Sequence, residues 1–256
     1  MTFRLTCLAA ALALALGSGV GAQGLRLSMP PDPESSAISV VTDRGLTRTT
    51  QLPTSALRAA RRAMNRGARL DTATLRALAD RGDGLAAWRL TKRLQAMGND
   101  ATPSDVAHYA AIAAGQGRVY ALDDMIVAMR RLAPVGEPAA RLDRLVRVLY
   151  AHAWAGNALA LDAVIEFNGE GRLLGALSDA TRDRIMAQAA TMDGRVELGL
   201  ALNLLARAAP TPDEVAQARR YLARAAQSRK LAVMTTAQNV IALLDARTAQ
   251  ATAAEN

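Results

Sequence analysis

Tyr109-Ala110-Ala111-Ile112-Ala113-Ala114-Gly115 has the composition of a helix that ends in a tight turn. Alanine is the strongest helix former, and a glycine suits the left-handed conformation in which many helices end. Small residues before that glycine let a following helix cross closely. Tyr221-Leu222-Ala223-Arg224-Ala225-Ala226-Gln227 repeats the pattern near the far end of the chain. Aligning Arg76, Tyr109, Tyr150, Ile185 and Tyr221 gives intervals of 33, 41, 35 and 36 residues. Five residues further on stand Arg81, Ala114, Ala155, Ala190 and Ala226, followed by Gly82, Gly115, Gly156, Thr191 and Gln227. A second helix opens after the glycine, over Gly82-Asp83-Gly84-Leu85-Ala86 with Leu90 and over Gly156-Asn157-Ala158-Leu159-Ala160 with Val164. A helix pair of this kind exposes an apolar side until the next pair covers it, so recurrence predicts an array.

The punctuation agrees. Thr102-Pro103-Ser104-Asp105 and Thr211-Pro212-Asp213-Glu214 each place a capping hydroxyl before a first-turn proline and acids. Gly98, Gly115, Gly156 and Gly194 suit helix stops. Ten or eleven helices are expected from Thr54 onward, with no sheet. The fold class is therefore all-α, an α-solenoid of helix-turn-helix repeats. The alternative is an irregular helical bundle whose Ala-rich helices mimic a repeat.

The segments ending at Gly115 and Gln227, with the helix start over Gly82 to Leu90, resemble Sel-one-like repeats, a branch of the tetratricopeptide superfamily. The likeness spans roughly residues 70–245. It is degenerate, since the family's glycine-rich loop within each repeat is largely missing and Thr191 and Gln227 replace the turn glycine. The resemblance implies a curved superhelix offering a groove to protein partners. It also implies a scaffold or regulator, the role of several exported bacterial members.

Four regions follow. Residues 1–22 read as a secretory signal peptide: Arg4, an apolar run from Leu5 to Leu16, and Val20-Gly21-Ala22 as a cleavage site after Ala22. The run is shorter than the ~20 residues that span a bilayer, and no later segment approaches that length, so no transmembrane segment is expected after cleavage. The location expected is periplasmic or secreted. Residues 23–53, with Pro30, Pro31, Pro33 and Pro53, read as an extended or disordered arm carrying one β-like run, Ile38 to Val41. Residues 54–247 form the helical repeat domain, and 248–256 a flexible tail. The one cysteine, Cys7, lies in the leader, so the domain is held by apolar packing without disulfides.

Motifs for chemistry are sparse. His108 and His152 fall at different offsets in the repeat, and no Cys, His, Asp or Glu cluster has metal-ligand spacing. There is no nucleophile motif, and Gly169-Glu170-Gly171 lacks the rest of a phosphate loop. Asp123 and Asp162 each follow a leucine at similar places in successive repeats, which favours a structural role. Glu166 and Glu170 read as solvated loop charges, and Trp88 and Trp154 as packing residues. No catalysis, metal or cofactor is expected.

Charge is uneven. Between Thr54 and Met97 ten basic residues meet three acids, whereas from Gly98 onward seventeen face seventeen. Arg58, Arg62, Arg66 and Arg69 stack at helical spacing, and Arg89 and Arg93 repeat the four-residue step. Such a stripe attracts anionic partners. These six arginines form the expected partner-binding face. Without interleaved aromatics, nucleic acid is not expected. A protein partner leads, with anionic lipid or glycan as the alternative for a structural envelope protein.

Overall fold

The computed structural model describes residues 29, 30, 32, 38–98, 102–133, 135–169, 171–207 and 209–255. The expected leader and its cleavage site lie outside them. Among the described residues eleven α-helices follow a 3-10 turn at Thr49–Gln51: α1 (Ser55–Asn65), α2 (Thr72–Ala79), α3 (Gly84–Ala96), α4 (Pro103–Gly115), α5 (Ala121–Met129), α6 (Ala139–Trp154), α7 (Ala158–Phe167), α8 (Asp179–Met192), α9 (Arg195–Leu205), α10 (Pro212–Ala225) and α11 (Leu231–Glu255). Among the described residues the only β pairing is one isolated bridge, Val41 with Gln116. The protein is all-α and solenoid-like. From α2 onward, consecutive helices pack as pairs, and successive pairs meet through α3–α4, α4–α6, α7–α9 and α9–α10. The segment 248–256, expected as a tail, continues α11 to Glu255.

Local chemistry sets the helix starts. Thr54, Asp71, Asp83, Thr102, Asn157, Ser178 and Thr211 each accept a first-turn N–H with the side chain. At Thr211 the arrangement is reciprocal: its hydroxyl accepts from the Glu214 N–H, and the Glu214 carboxylate accepts from the Thr211 N–H.

The five aligned positions, Arg76 to Tyr221, fall in α2, α4, α6, α8 and α10. The turn register inside those helices differs from expectation. Left-handed glycines stand at Gly82, Gly117 and Gly156. Their N–H groups donate to Ala79, Ala114 and Ala153, and the next residues' N–H groups donate to Leu78, Ala113 and His152. Gly115 is thus the last residue of helix α4, and the left-handed turn comes two residues later, at Gly117. The buried small-residue column is Ala79, Ala114, Ala153 and Ala225, all 0% exposed. Ala155 and Ala190, expected in that column, are exposed. Gly115 is required for another reason: a Cβ there would lie 2.9 Å from Thr42 Oγ1 and 3.1 Å from Val148 Cγ2.

Thr42 belongs to the arm, whose described residues are tied down at several points. The Leu46 N–H donates to Gly82 O at 2.8 Å, and the Thr42 and Asp43 N–H groups donate to Gly115 O at 2.8 and 3.0 Å. Ser39 Oγ donates to Gly117 O at 2.8 Å, and a Cβ on Gly156 would meet Ile38 at 3.8 Å. Further upstream, Pro30 O accepts from Arg195, and Asp32 pairs with Lys230 at 3.2 Å. Position along the arm therefore falls as the turns it meets advance, from α2–α3 through α4–α5 and α6–α7 to the start of α9 and the loop before α11. The β-like run finds its strand partner inside the molecule.

Buried apolar residues form two clusters. The first runs from Leu46 to Val196, and the second takes Leu198, Ala201 and Leu202 of α9 with α10 and α11. The turn register generates a prediction. Ala153→Leu overpacks the helix crossing and costs about 1–3 kcal/mol, whereas Ala155→Leu on the exposed turn changes stability by no more than about 0.5 kcal/mol. Urea midpoints of the two variants check this, and equal losses would refute the register.

Candidate functional site

The six arginines expected as one face are divided by the structure. Helix α1 stops at Asn65, and Gly67 adopts φ +96°, so Arg69 lies in a loop and the four-residue stacking ends at Arg66. Three of the six serve the fold. Arg58 donates to Leu52 O at 2.8 Å, Arg89 to Ala68 O at 2.9 Å, and Arg93 to Leu70 O at 2.8 Å. Those carbonyls belong to irregular segments flanking α1, whose acceptors have no helical partner. Arg62, Arg66 and Arg69 are exposed, and their guanidinium groups have no hydrogen-bond or ion-pair partner among the described residues. The basic end is thus a patch of three.

The arginine that sequence spacing leaves out of the stripe is the most committed. Arg61 Nε pairs with Asp83 at 2.7 Å, Nη1 donates to Thr49 at 3.1 Å, and Nη2 donates to Leu46 O at 2.8 Å. The same Asp83 carboxylate caps α3 through the Leu85 and Ala86 N–H groups. One buried site therefore joins α1, the arm and the first turn of α3. The available sequence signal was Asp83 directly before a helix start; its partner from 22 residues away carries none.

The acids are also structural. Lys92 of α3 pairs with Asp124 of α5 at 2.7 Å, Arg130 at the C-cap of α5 grips Glu166 of α7 at 2.9 Å, and Asp162 of α7 takes a two-pronged grip from Arg195 of α9. These pairs link successive second helices of the array. Asp123, expected in the structural role, is exposed, and its neighbour Asp124 carries the pair. Glu166 closes an ion pair at the end of α7, correcting its reading as a loop charge; Glu170 lies outside the described residues. Arg195 also donates to Pro30 O, and Asp32, 8% exposed in its side chain, pairs with Lys230. Asp32, Asp162, Arg195 and Lys230 form a balanced clasp between the arm and the last pairs.

Trp88 packs edge-on to Tyr120 with ring centroids 5.1 Å apart. Trp154 stacks on Tyr150 at 5.4 Å under the Arg184 guanidinium. Both tryptophans lie partly buried against the first core cluster, as packing residues. Among the described residues no three metal-ligating side chains gather. Comparison with protein-family models, with curated proteins and with solved structures finds no match.

Both histidines sit in surroundings that resist protonation. His152 is buried; its Nδ1–H donates to Val148 O at 2.9 Å, and its Nε2 has no partner among the described residues. Burial lowers its pKa against the pull of that carbonyl. Burial, aided by Arg141 and Arg144, pushes His108 down to about 4, with Asp80 and Asp105 opposing. Each folded histidine binds fewer protons than the unfolded one, so its stabilisation is complete above the unfolded pKa of about 6.5 and is lost as pH falls below it. Asp162 acts the other way: burial pushes it up to about 6 against Arg195, so its contribution grows as pH falls through that value. Two groups outweigh one. The urea midpoint should decline from pH 7 to pH 4.5, and His152→Gln, which stays neutral, should flatten the decline. A midpoint independent of pH over that window would contradict these environments.

Proposed function

We propose that the chain is an exported helical-repeat adaptor, of the Sel-one-like kind, that binds a protein partner in the envelope. The observation that carries this reading is the architecture of one edge. Helix-pair turns line up so that their carbonyl groups hold an extended segment through backbone hydrogen bonds, a mode of recognition repeat arrays offer to other chains. The leader read over residues 1–22 supplies the route to the envelope.

The patch of Arg62, Arg66 and Arg69 favours a second reading, docking on anionic lipid or glycan. Its support is the combination of exposure, absence of partners among the described residues and position at the first helix of the array. In the adaptor reading the same patch steers an acidic partner toward the array.

Triple charge reversal at Arg62, Arg66 and Arg69 separates the two. Each substitution is expected to alter stability by no more than about 0.5 kcal/mol, since none of the three holds a carbonyl. Crosslinking of the mature chain in its own envelope, followed by identification of captured proteins, tests the adaptor. Capture should persist after charge reversal but form about tenfold more slowly at low salt. Binding to vesicles of anionic phospholipid that disappears with the reversal, together with no protein captured above background, would replace the adaptor with the docking protein.

A further inference from the structure

The arm lies where a partner would, and its manner of binding states what that partner must be. Between Ile38 and Gly45 no side chain is fully buried, and Val41 is 60% exposed. The segment is held through its backbone. Gly115 O takes two N–H groups from it, and Gly82 O takes the N–H of Leu46, the next residue, whose side chain is buried. The turns are trimmed for this passage: a Cβ on Gly82 would meet the Gly45 backbone at 3.2 Å, and one on Gly117 would meet Ser39 and Val41 at 3.2 Å. Gln116 completes the seat. It accepts from the Gly84 N–H at 3.0 Å and donates to Gly82 O at 2.6 Å, tying two neighbouring turns together beneath the arm. Recognition through main-chain bonds gives affinity with little demand on sequence, while pockets for alternate side chains set preference.

We infer that this row of turns is the adaptor's binding site, and that its ligand is an extended segment of a partner protein which takes the place of the arm. The inference rests on the adaptor reading and names its surface. The preferred segment is rich in β-branched and hydroxyl residues, as Ile38-Ser39-Val40-Val41-Thr42 is, and passes Gly82 with a glycine or similarly small residue. It carries a carboxylate about ten residues upstream of its threonine-like position, the separation of Asp32 from Thr42. That carboxylate meets Lys230 beside Arg195, so charge fixes the direction in which the segment lies. In the resting protein the arm occupies the row because it is tethered, at an effective concentration that short linkers bring to about the millimolar range. Leu52 and the bonds of Arg61 to Asp83 and Thr49 stay in place when residues up to Leu46 leave, because they hold the chain downstream of that point.

Two measurements test this, with a labelled synthetic peptide of residues 29–46 as the probe. In the unmodified protein, native-state hydrogen exchange should show the Thr42 and Asp43 amides opening at least a hundredfold more often than core amides of α4. Exchange of all these amides only through global unfolding would make the arm a permanent brace and overturn the inference. In full-length Thr42→Pro, which lacks both the N–H and the hydroxyl that Thr42 donates to Gly115 O, the peptide should bind one to one and at least tenfold more tightly than to the unmodified chain. A photo-crosslinker at its Val41 position should label residues 115–117. Equal affinity for both proteins, or labelling elsewhere, overturns the site. A two-to-two species with exchanged arms overturns it in favour of a second copy of this chain. Neither measurement uses the cellular partner. Failure here thus removes the edge as the site without touching capture in the envelope, and failed capture with peptide binding intact counts against the adaptor alone.

Discussion

Every helix ends with four carbonyl groups that have no partner inside it, and how this chain satisfies them organises the molecule. At the ends of α2, α4 and α6 a left-handed glycine and the residue after it return two N–H groups to the last turn. That closes the helix and reverses the chain within two residues, which brings the second helix of each pair against the first. The price is a row of turn carbonyls left facing outward at Gly82, Gly115 and Gly117. Those are the acceptors that the arm and Gln116 fill. Turn geometry thus produces both the stacking of helix pairs and the edge that holds an extended segment.

The arginine-rich composition takes on a different meaning in this light. Arg58, Arg89 and Arg93 supply donors to carbonyls in the irregular stretches around α1, and Arg61 and Arg195 bind buried carboxylates while reaching arm carbonyls. A planar guanidinium can grip a carboxylate and still donate to a third group, which a lysine ammonium does less well. The excess of positive charge near the N-terminus is therefore partly scaffolding. Of the six arginines expected as one face, Arg62, Arg66 and Arg69 remain for encounter with anionic partners.

Much of the fold was legible in the sequence because its signals are local. Thr102 and Thr211 cap the helices they were read to cap, and the five aligned positions fall in five first helices of successive pairs. Helix α4 ends at Gly115 as its sequence suggests, but the left-handed turn falls at Gly117, because Gly115 is kept small by packing against Thr42, a residue 73 positions away. The arginine stripe was misjudged for a related reason: four-residue spacing describes a helix face only while the helix lasts, and α1 stops at Asn65. The arm's role was hidden because proline-rich, hydroxyl-rich sequence describes an extended chain without saying what it lies against. Side chains that bind through backbone carbonyls, as Arg58, Arg89 and Arg93 do, leave no complementary residue in the sequence to read.

The arm also changes how such an array behaves as a whole. Repeat arrays are held by nearest-neighbour contacts and can lose end repeats independently. Here the two apolar clusters meet within α9, where Val196 belongs to one and Leu198 to the other. Gly199 lets Ile165 of α7 approach to a distance that a Cβ would close to 3.2 Å. That joint is narrow. The arm crosses it: Leu46 is buried in the first cluster, Met29 packs on the second, and Asp32 reaches Lys230 across 198 residues of sequence. Such long-range contacts couple pairs that do not otherwise touch, so the ends of the array rise and fall in stability together. A segment that replaced the arm would have to reproduce this coupling or release it. Release would leave α10 and α11 resting on α9 alone, so occupancy of the edge and order at the C-terminal end are linked through one clasp.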